Sequence, residues 1–293
     1  VKDKQGKFLD ILTKNTDQVR RLFEIDLAEF GEIPRSPICY STPRPVRRLH
    51  KTNTKIDAKR AGVDAESMGD ALQGLATAND DRFARNHWEV DNFESFKPIA
   101  KGGADAWVAP HVIETVEWGD NGTTLKRSSK EVRTRNEEFY GQEGLTWTYI
   151  KDTGRRFGYY PPDALFSHAG FLLVPKSEET SLWRLMSILN STLYHSLFLS
   201  QTTDRHWNAG EVGSLPWLNG LIDIGELGEL AKRQYQIMLQ KRAYNPASPY
   251  YIKAGLIPET DHTYFYEHPF ALDQEIDPES ERSIEGSTPI PEA

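Results

Sequence analysis

Apolar residues fall at Phe8, Ile11, Leu12, Val19, Leu22, Phe23 and Leu27, spacings that put them on one helical face, and Gly31 and Pro34 end the pattern. One or two helices are expected over 7–30. Pro34, Pro37, Pro43 and Pro45 follow and lead into a basic run, which suits a connector better than a core element. From 64 to 175 the pattern changes to short apolar and aromatic runs at 107–109, 112–118, 145–150 and 171–174. Alternation and β-branched or aromatic content predict strands there. Turns are expected at Gly102-Gly103, at 119–122 and at Pro161-Pro162. Leu182, Leu185, Met186, Leu189, Leu193 and Leu197 then repeat at three and four behind Thr180 or Ser181 as N-cap, predicting a helix. A second helix is expected over 224–243, stopped at Asn245-Pro246. No internal repeat is visible.

Composition sets the scale of this picture. A chain of 293 residues with 38% apolar and 11% aromatic residues can bury one large core or two modest ones. Its apolar stretches are broken by Asn190, Ser191 and His195, and none reaches the roughly 20 residues of a membrane span. No charged-then-apolar leader opens the sequence, so a cytoplasmic chain is expected. The charged start Val1-Lys2-Asp3-Lys4-Gln5 is that expected of a piece of a longer protein. Cys39 is the single cysteine, and its expected role is structural.

Charge adds a contrast between regions. The net charge is −8, but positions 270–293 hold seven acids against Arg282, a net of −6, which leaves −2 for the rest. That tail, with three prolines, is expected to be disordered. Positions 44–60 are net +6 and positions 121–156 net +3. Such runs are either a solvated face or a nucleic-acid footprint.

Several blocks then carry a resemblance. Gly74-Leu75-Ala76-Thr77-Ala78-Asn79-Asp80-Asp81-Arg82-Phe83, with His87-Trp88-Glu89-Val90, resembles the opening of the target-recognition region in adenine methyltransferases of bacteriophage-exclusion (BREX) systems. In the same order, Lys101-Gly102-Gly103 with Trp107, Val116-Glu117-Trp118, Arg133-Thr134-Arg135-Asn136-Glu137-Glu138-Phe139-Tyr140 and Gly144-Leu145-Thr146-Trp147-Thr148 resemble further blocks of that family. Leu189-Asn190-Ser191 and Asn208-Ala209-Gly210-Glu211-Val212-Gly213-Ser214-Leu215-Pro216 are similar to its leucine-asparagine-serine helix and closing turn. The chain departs at Ala78, where the family usually has glycine, at Ser167, where it has aspartate, and after Leu221, where its tryptophan-rich ending is missing. The closing helix, turn and helix also look like the end of a recognition domain in type I restriction specificity subunits.

The resemblance implies an α+β, mixed-sheet target-recognition domain with flanking helices, from a BREX or type IIG-like adenine-specific DNA methyltransferase. The layout it suggests is a helical connector and basic linker over 1–60, the DNA target-recognition domain over 61–220, a C-terminal helical segment over 221–269 and the acidic tail over 270–293. Adenine methylation needs a glycine-rich turn for S-adenosylmethionine and an Asn/Asp/Ser-Pro-Pro-aromatic motif for the flipped base. Neither is present: Pro161-Pro162 lies between Tyr160 and Asp163, and there is no Gly-x-Gly. Phosphate loops, nucleophile elbows and metal-spaced histidines are missing too. No cofactor is therefore expected in this chain, with S-adenosylmethionine bound by the parent enzyme and catalysis carried by an upstream methyltransferase domain in cis or trans. Double-stranded DNA is the expected partner and a membrane is not.

The expected DNA contacts are Arg82, Arg85 and Lys101 inside matched blocks, Lys126, Arg127, Arg133, Arg135, Asn136, Lys151, Arg155 and Arg156 among turns, and Asn208 in the closing segment. For each, an ordinary solvated charge is the alternative. The tryptophans at 88, 107, 118, 147 and 207 suit either base stacking or the core. Two other readings stay open: a non-catalytic interaction or assembly module of a phage-defence complex, and an acidic DNA mimic.

Overall fold

The structure is a computed structural model that describes residues 5–14, 17–92, 94–102, 108–110, 112–150, 157–177, 179–202, 206–243, 245 and 248. They lie in a compact unit, Val1–Ile252. The acidic tail lies outside the described residues. The chain opens with β1 (Gln5–Lys14) and β2 (Asp17–Asp26), then α1 (Arg44–Thr52) and α2 (Ala58–Ala61). Next come β3 (Gly69–Leu72), α3 (Asp80–Phe83), β4 (Ala84–Asn86), β5 (Phe96–Ala100), β6 (Glu114–Glu117) and α4 (Gly119–Ser128). β7 (Gly144–Thr148), β8 (Gly158–Tyr160), β9 (Leu165–Phe166) and β10 (Gly170–Pro175) complete the strands. The helices α5 (Leu182–Leu189), α6 (Thr192–Gln201), α7 (Ala209–Gly213) and α8 (Gly225–Ala243) close the unit.

The first of these elements corrects the helical reading of 7–30. β1 and β2 form an antiparallel ladder in which Phe8 faces Phe23, Leu9 faces Leu22 and Leu12 faces Val19. Apolar positions that fit a helical face are equally well matched across this hairpin, and aromatic packing decides between the two. Phe8 stacks on Tyr40 at 4.8 Å and meets Phe30 edge-on at 5.8 Å, over a small core of Ile25, Ile33 and Cys39. The basic run forms α1, where buried Arg47 donates to the Thr42 carbonyl and pairs with Glu29, which Arg44 also reaches at 3.4 Å.

Two four-stranded sheets build the α+β body. One has the order β3-β10-β7-β8 and is antiparallel throughout. The other has the order β4-β6-β5-β9, with β5 and β9 parallel, so the expected mixed sheet is present. The predicted runs at 112–118, 145–150 and 171–174 supply β6, β7 and β10. Leu72, Tyr160, Phe166 and Leu172 fill one cluster and Leu75, Phe83, Val116 and Leu125 the next. Each such side chain adds roughly 1.5–3 kcal/mol of burial, before entropy is charged.

The leucine repeat at 182–197 makes two helices. Ser191 starts α6 by accepting from the Tyr194 amide at 3.3 Å, while Asn190 grips Phe157, accepting from its N–H at 3.1 Å and donating to its carbonyl at 2.7 Å. The helix expected over 224–243 is α8, which packs on α5. No helix among the described residues is long and apolar enough to cross a membrane.

Candidate nucleic-acid interface

The segment 73–85 is the hub of this surface. Gly74 must lack a side chain, since a Cβ there would lie 1.9 Å from the Phe166 carbonyl oxygen. That close approach lets the Leu75 N–H donate to Phe166 at 2.9 Å. One residue on, Ala76 and Arg133 exchange both backbone hydrogen bonds, at 2.8 and 3.0 Å. Gln73 extends the junction: its carbonyl accepts from Asn136 Nδ2 at 2.8 Å and its Oε1 accepts from the Arg135 guanidinium. Two blocks far apart in sequence thus form one unit, with Arg133 and Arg135 exposed on it. Downstream, Asn79 caps α3 by accepting from the Arg82 amide at 3.0 Å. Arg82 and Arg85 project from this turn and are exposed, Arg85 donating to the Asp81 carbonyl at 2.9 Å.

The lysines behave differently from the arginines. Half-buried Lys101 pairs with Asp80 at 2.7 Å and Glu114 at 3.0 Å, and Thr77 donates to Asp80. Burial works against the charge on Lys101, yet the two carboxylates outweigh it and raise its pKa. Desolvation opposes ionisation of Asp80 in the same way, and bonds from Lys101 and Thr77 hold it below its usual value. Lys126 pairs with Glu137 at 2.6 Å and lies 5.1 Å from the Trp118 ring centre. Lys101 and Lys126 are therefore neutralised in place. Exposed Arg82, Arg85, Arg127, Arg133 and Arg135 make no ion pair with a described residue and carry the local positive charge.

Three expected contacts, Lys151, Arg155 and Arg156, lie outside the described residues. Asn208 stands apart on α7, where it forms a capping box with Glu211, each bond 3.0 Å long. Its side chain serves the helix end. Among the tryptophans, Trp147 and Trp207 are buried and Trp118 is half-buried against Tyr140, whereas Trp88 is 49% exposed beside His87. Trp107 lies outside the described residues. Gln73 was not among the expected contacts, and the one signal for it is its place directly before the block that Gly74 opens.

Tyr160, before Pro161-Pro162, is fully buried, and its hydroxyl accepts from the Ala100 N–H at 3.1 Å and donates to the Leu165 carbonyl. It is a core residue. No cluster of three metal-ligating side chains occurs among the described residues.

In sequence, the chain is similar to part of an adenine-specific methyltransferase. The relative is the adenine-specific methyltransferase BrxX of Escherichia coli O9:H4 strain HS, 26% identical over 223 residues. The match covers 71% of this chain and 17% of the relative, so the chain spans less than a fifth of that protein. This likeness supports a methyltransferase-related protein. No family model matches the chain.

Proposed function

We propose that this chain reads DNA sequence for an adenine-specific methyltransferase of phage defence, with methyl transfer and S-adenosylmethionine belonging to another part of the enzyme. The observation that carries the proposal is the junction of Gln73 and Ala76 with Arg133 and Asn136, because it places exposed arginines on a hydrogen-bonded turn backed by the sheet. Phosphate contacts set register, and arginine or amide side chains on base edges set specificity. Arg82, Arg85, Arg127, Arg133 and Arg135 are the residues for those tasks, and Trp88 offers an exposed ring for stacking. Lys151, Arg155, Arg156 and the recognition domain over 61–220 belong to the same reading, as does an upstream methyltransferase domain in cis or trans.

The test is alanine substitution at Arg82, Arg133 and Arg135 in turn, in the enzyme that contains this chain, with DNA affinity measured across salt. A lost phosphate contact weakens binding on all sequences and lowers the salt slope by about one, whereas a lost base contact costs roughly 1–3 kcal/mol on the cognate site alone. If all three variants bind every DNA like the parent, the surface belongs to an interaction or assembly module instead.

A further inference from the structure

A second basic surface is built from other elements. A cavity of about 320 Å³ opens among the turn that follows β2, the end of α1, α2 and α7. Its lining gathers Arg35, Lys51, Lys55 and Arg60 around one carboxylate, Glu32, with His50 beside them. That volume is many times the roughly 10–15 Å³ that one water needs and sits at the small end of ligand sites.

Lys55 is the residue that asks for a partner. It is 7% exposed, held by backbone bridges to Ser67 and Pro216, and its ammonium donates to the His50 carbonyl. No carboxylate among the described residues pairs with it. Burial pushes its pKa down. Glu32, the carboxylate of the same lining, has a buried Oε2 without a hydrogen-bond partner and makes no ion pair with Lys55, so the ammonium's bonded neighbour is a neutral carbonyl, which does not supply the counter-charge that makes such burial tolerable.

The neighbours add to the demand. Lys51 and Arg60 are exposed and make no ion pair with a described residue, and Arg35, held in left-handed backbone at φ 68°, reaches Glu211 only at 3.9 Å. His50 does not compete for an anion's place. Ser200 donates its hydroxyl to Leu197 at 2.6 Å and accepts from His50 Nε2 at 2.8 Å, which puts a proton on Nε2, and burial holds the His50 pKa down to about 4, so the imidazole is neutral near pH 7.

We infer that this cleft is an oxyanion site that takes a phosphate group, presented by a free phosphate monoester or by a nucleic-acid backbone. Guanidinium forks and ammonium groups converging from separate elements match a compact, multiply charged oxyanion better than a single carboxylate. Lys51 and Arg60 supply the outer contacts and Lys55 the buried one. The inference stands apart from the DNA-reading proposal, because none of these residues belongs to the 73–136 surface.

Calorimetric titration of the chain with inorganic phosphate at low salt should show saturable one-to-one binding. The double variant Lys51→Ala with Arg60→Ala should weaken it at least tenfold, while Lys232→Ala on α8 leaves it unchanged and thermal melts verify that each variant is folded. Short duplex DNA then separates the two sources. Displacement of phosphate by DNA makes the cleft a seat for the backbone, and independent binding of both makes it a site for a free monoester. Phosphate binding that does not saturate, that the double variant retains, or that Lys232→Ala weakens equally overturns the inference.

Discussion

Asn136 donates from Nδ2 to the carbonyl oxygen of Gln73 at 2.8 Å, across 63 positions of sequence. Its own backbone is left-handed at φ 55°, a region asparagine tolerates better than most L residues. Asn136→Ala removes the bond and imposes the steric cost together, a loss of roughly 1–3 kcal/mol in urea unfolding. Asn136→Gly should recover the backbone share. Equal losses for the two variants would place the whole effect in the hydrogen bond.

Ala78 lies at φ 60° on an exposed turn, in the position where the resembled family has glycine. Left-handed backbone costs a Cβ-bearing residue about 1–2 kcal/mol, and glycine's greater unfolded freedom returns about 0.5–1 kcal/mol of that. Ala78→Gly is therefore expected to stabilise the chain by up to about 1 kcal/mol. A lowered melting temperature would refute the expectation.

Lys101 has a structural duty, and its variants should say so. Lys101→Met leaves Asp80 and Glu114 without their shared cation, at a cost of about 1 kcal/mol once solvent screening of this partly exposed group is allowed for. Salt dependence of DNA binding should stay that of the parent. The Asp80 carboxyl is depressed in the folded chain, so its contribution is present above its unfolded pKa and lost as pH falls through the folded one. Acid titration of the variant's stability should accordingly be flatter than the parent's below about pH 4.

His50 is pushed down to about 4 by burial and then by the charge of Lys55. The unfolded chain binds this proton near pH 6.5 and the folded chain does not, so stability is complete above 6.5 and declines as pH falls toward 4. The slope should be on the order of 1.4 kcal/mol per pH unit. His50→Gln keeps a donor for Ser200 and removes the titration. An unchanged slope in that variant would assign the acid sensitivity to other groups.

Much of the body was legible because its strands carry their own signals. Val116, Trp147 and Phe171 sit in runs whose composition suits a half-buried pleat, and all three are buried in strands. The α8 helix was legible from its bounds, with Asn245-Pro246 beyond it. The hairpin over 5–26 was not, because Phe8 and Phe23 satisfy a helical period and a cross-strand pair alike, and Tyr40, which settles the matter, is remote in sequence. Likewise, the break at Asn190 depends on its grip on Phe157, a tertiary contact. Ser167 shows the opposite case. It replaces an aspartate of the resembled family yet accepts from the Ala169 and Gly170 amides, as that carboxylate would. On the surface, residue type marked the arginines, but only the fold separates Arg133 from Lys101, whose charge is cancelled by Asp80 and Glu114.

The junction at Gln73 has a kinetic side. Its bonds close a loop of more than sixty residues, so the chain must bear that closure entropy before Arg133 and Arg135 acquire a fixed address. The arginine surface should consequently be late to assemble and early to open, while β7 and β10, packed through Trp147 and Phe171, should persist. Amide exchange should be faster at Ala76 and Arg133 than at Leu172, and a bound duplex, by holding both sides of the loop, should slow it there most.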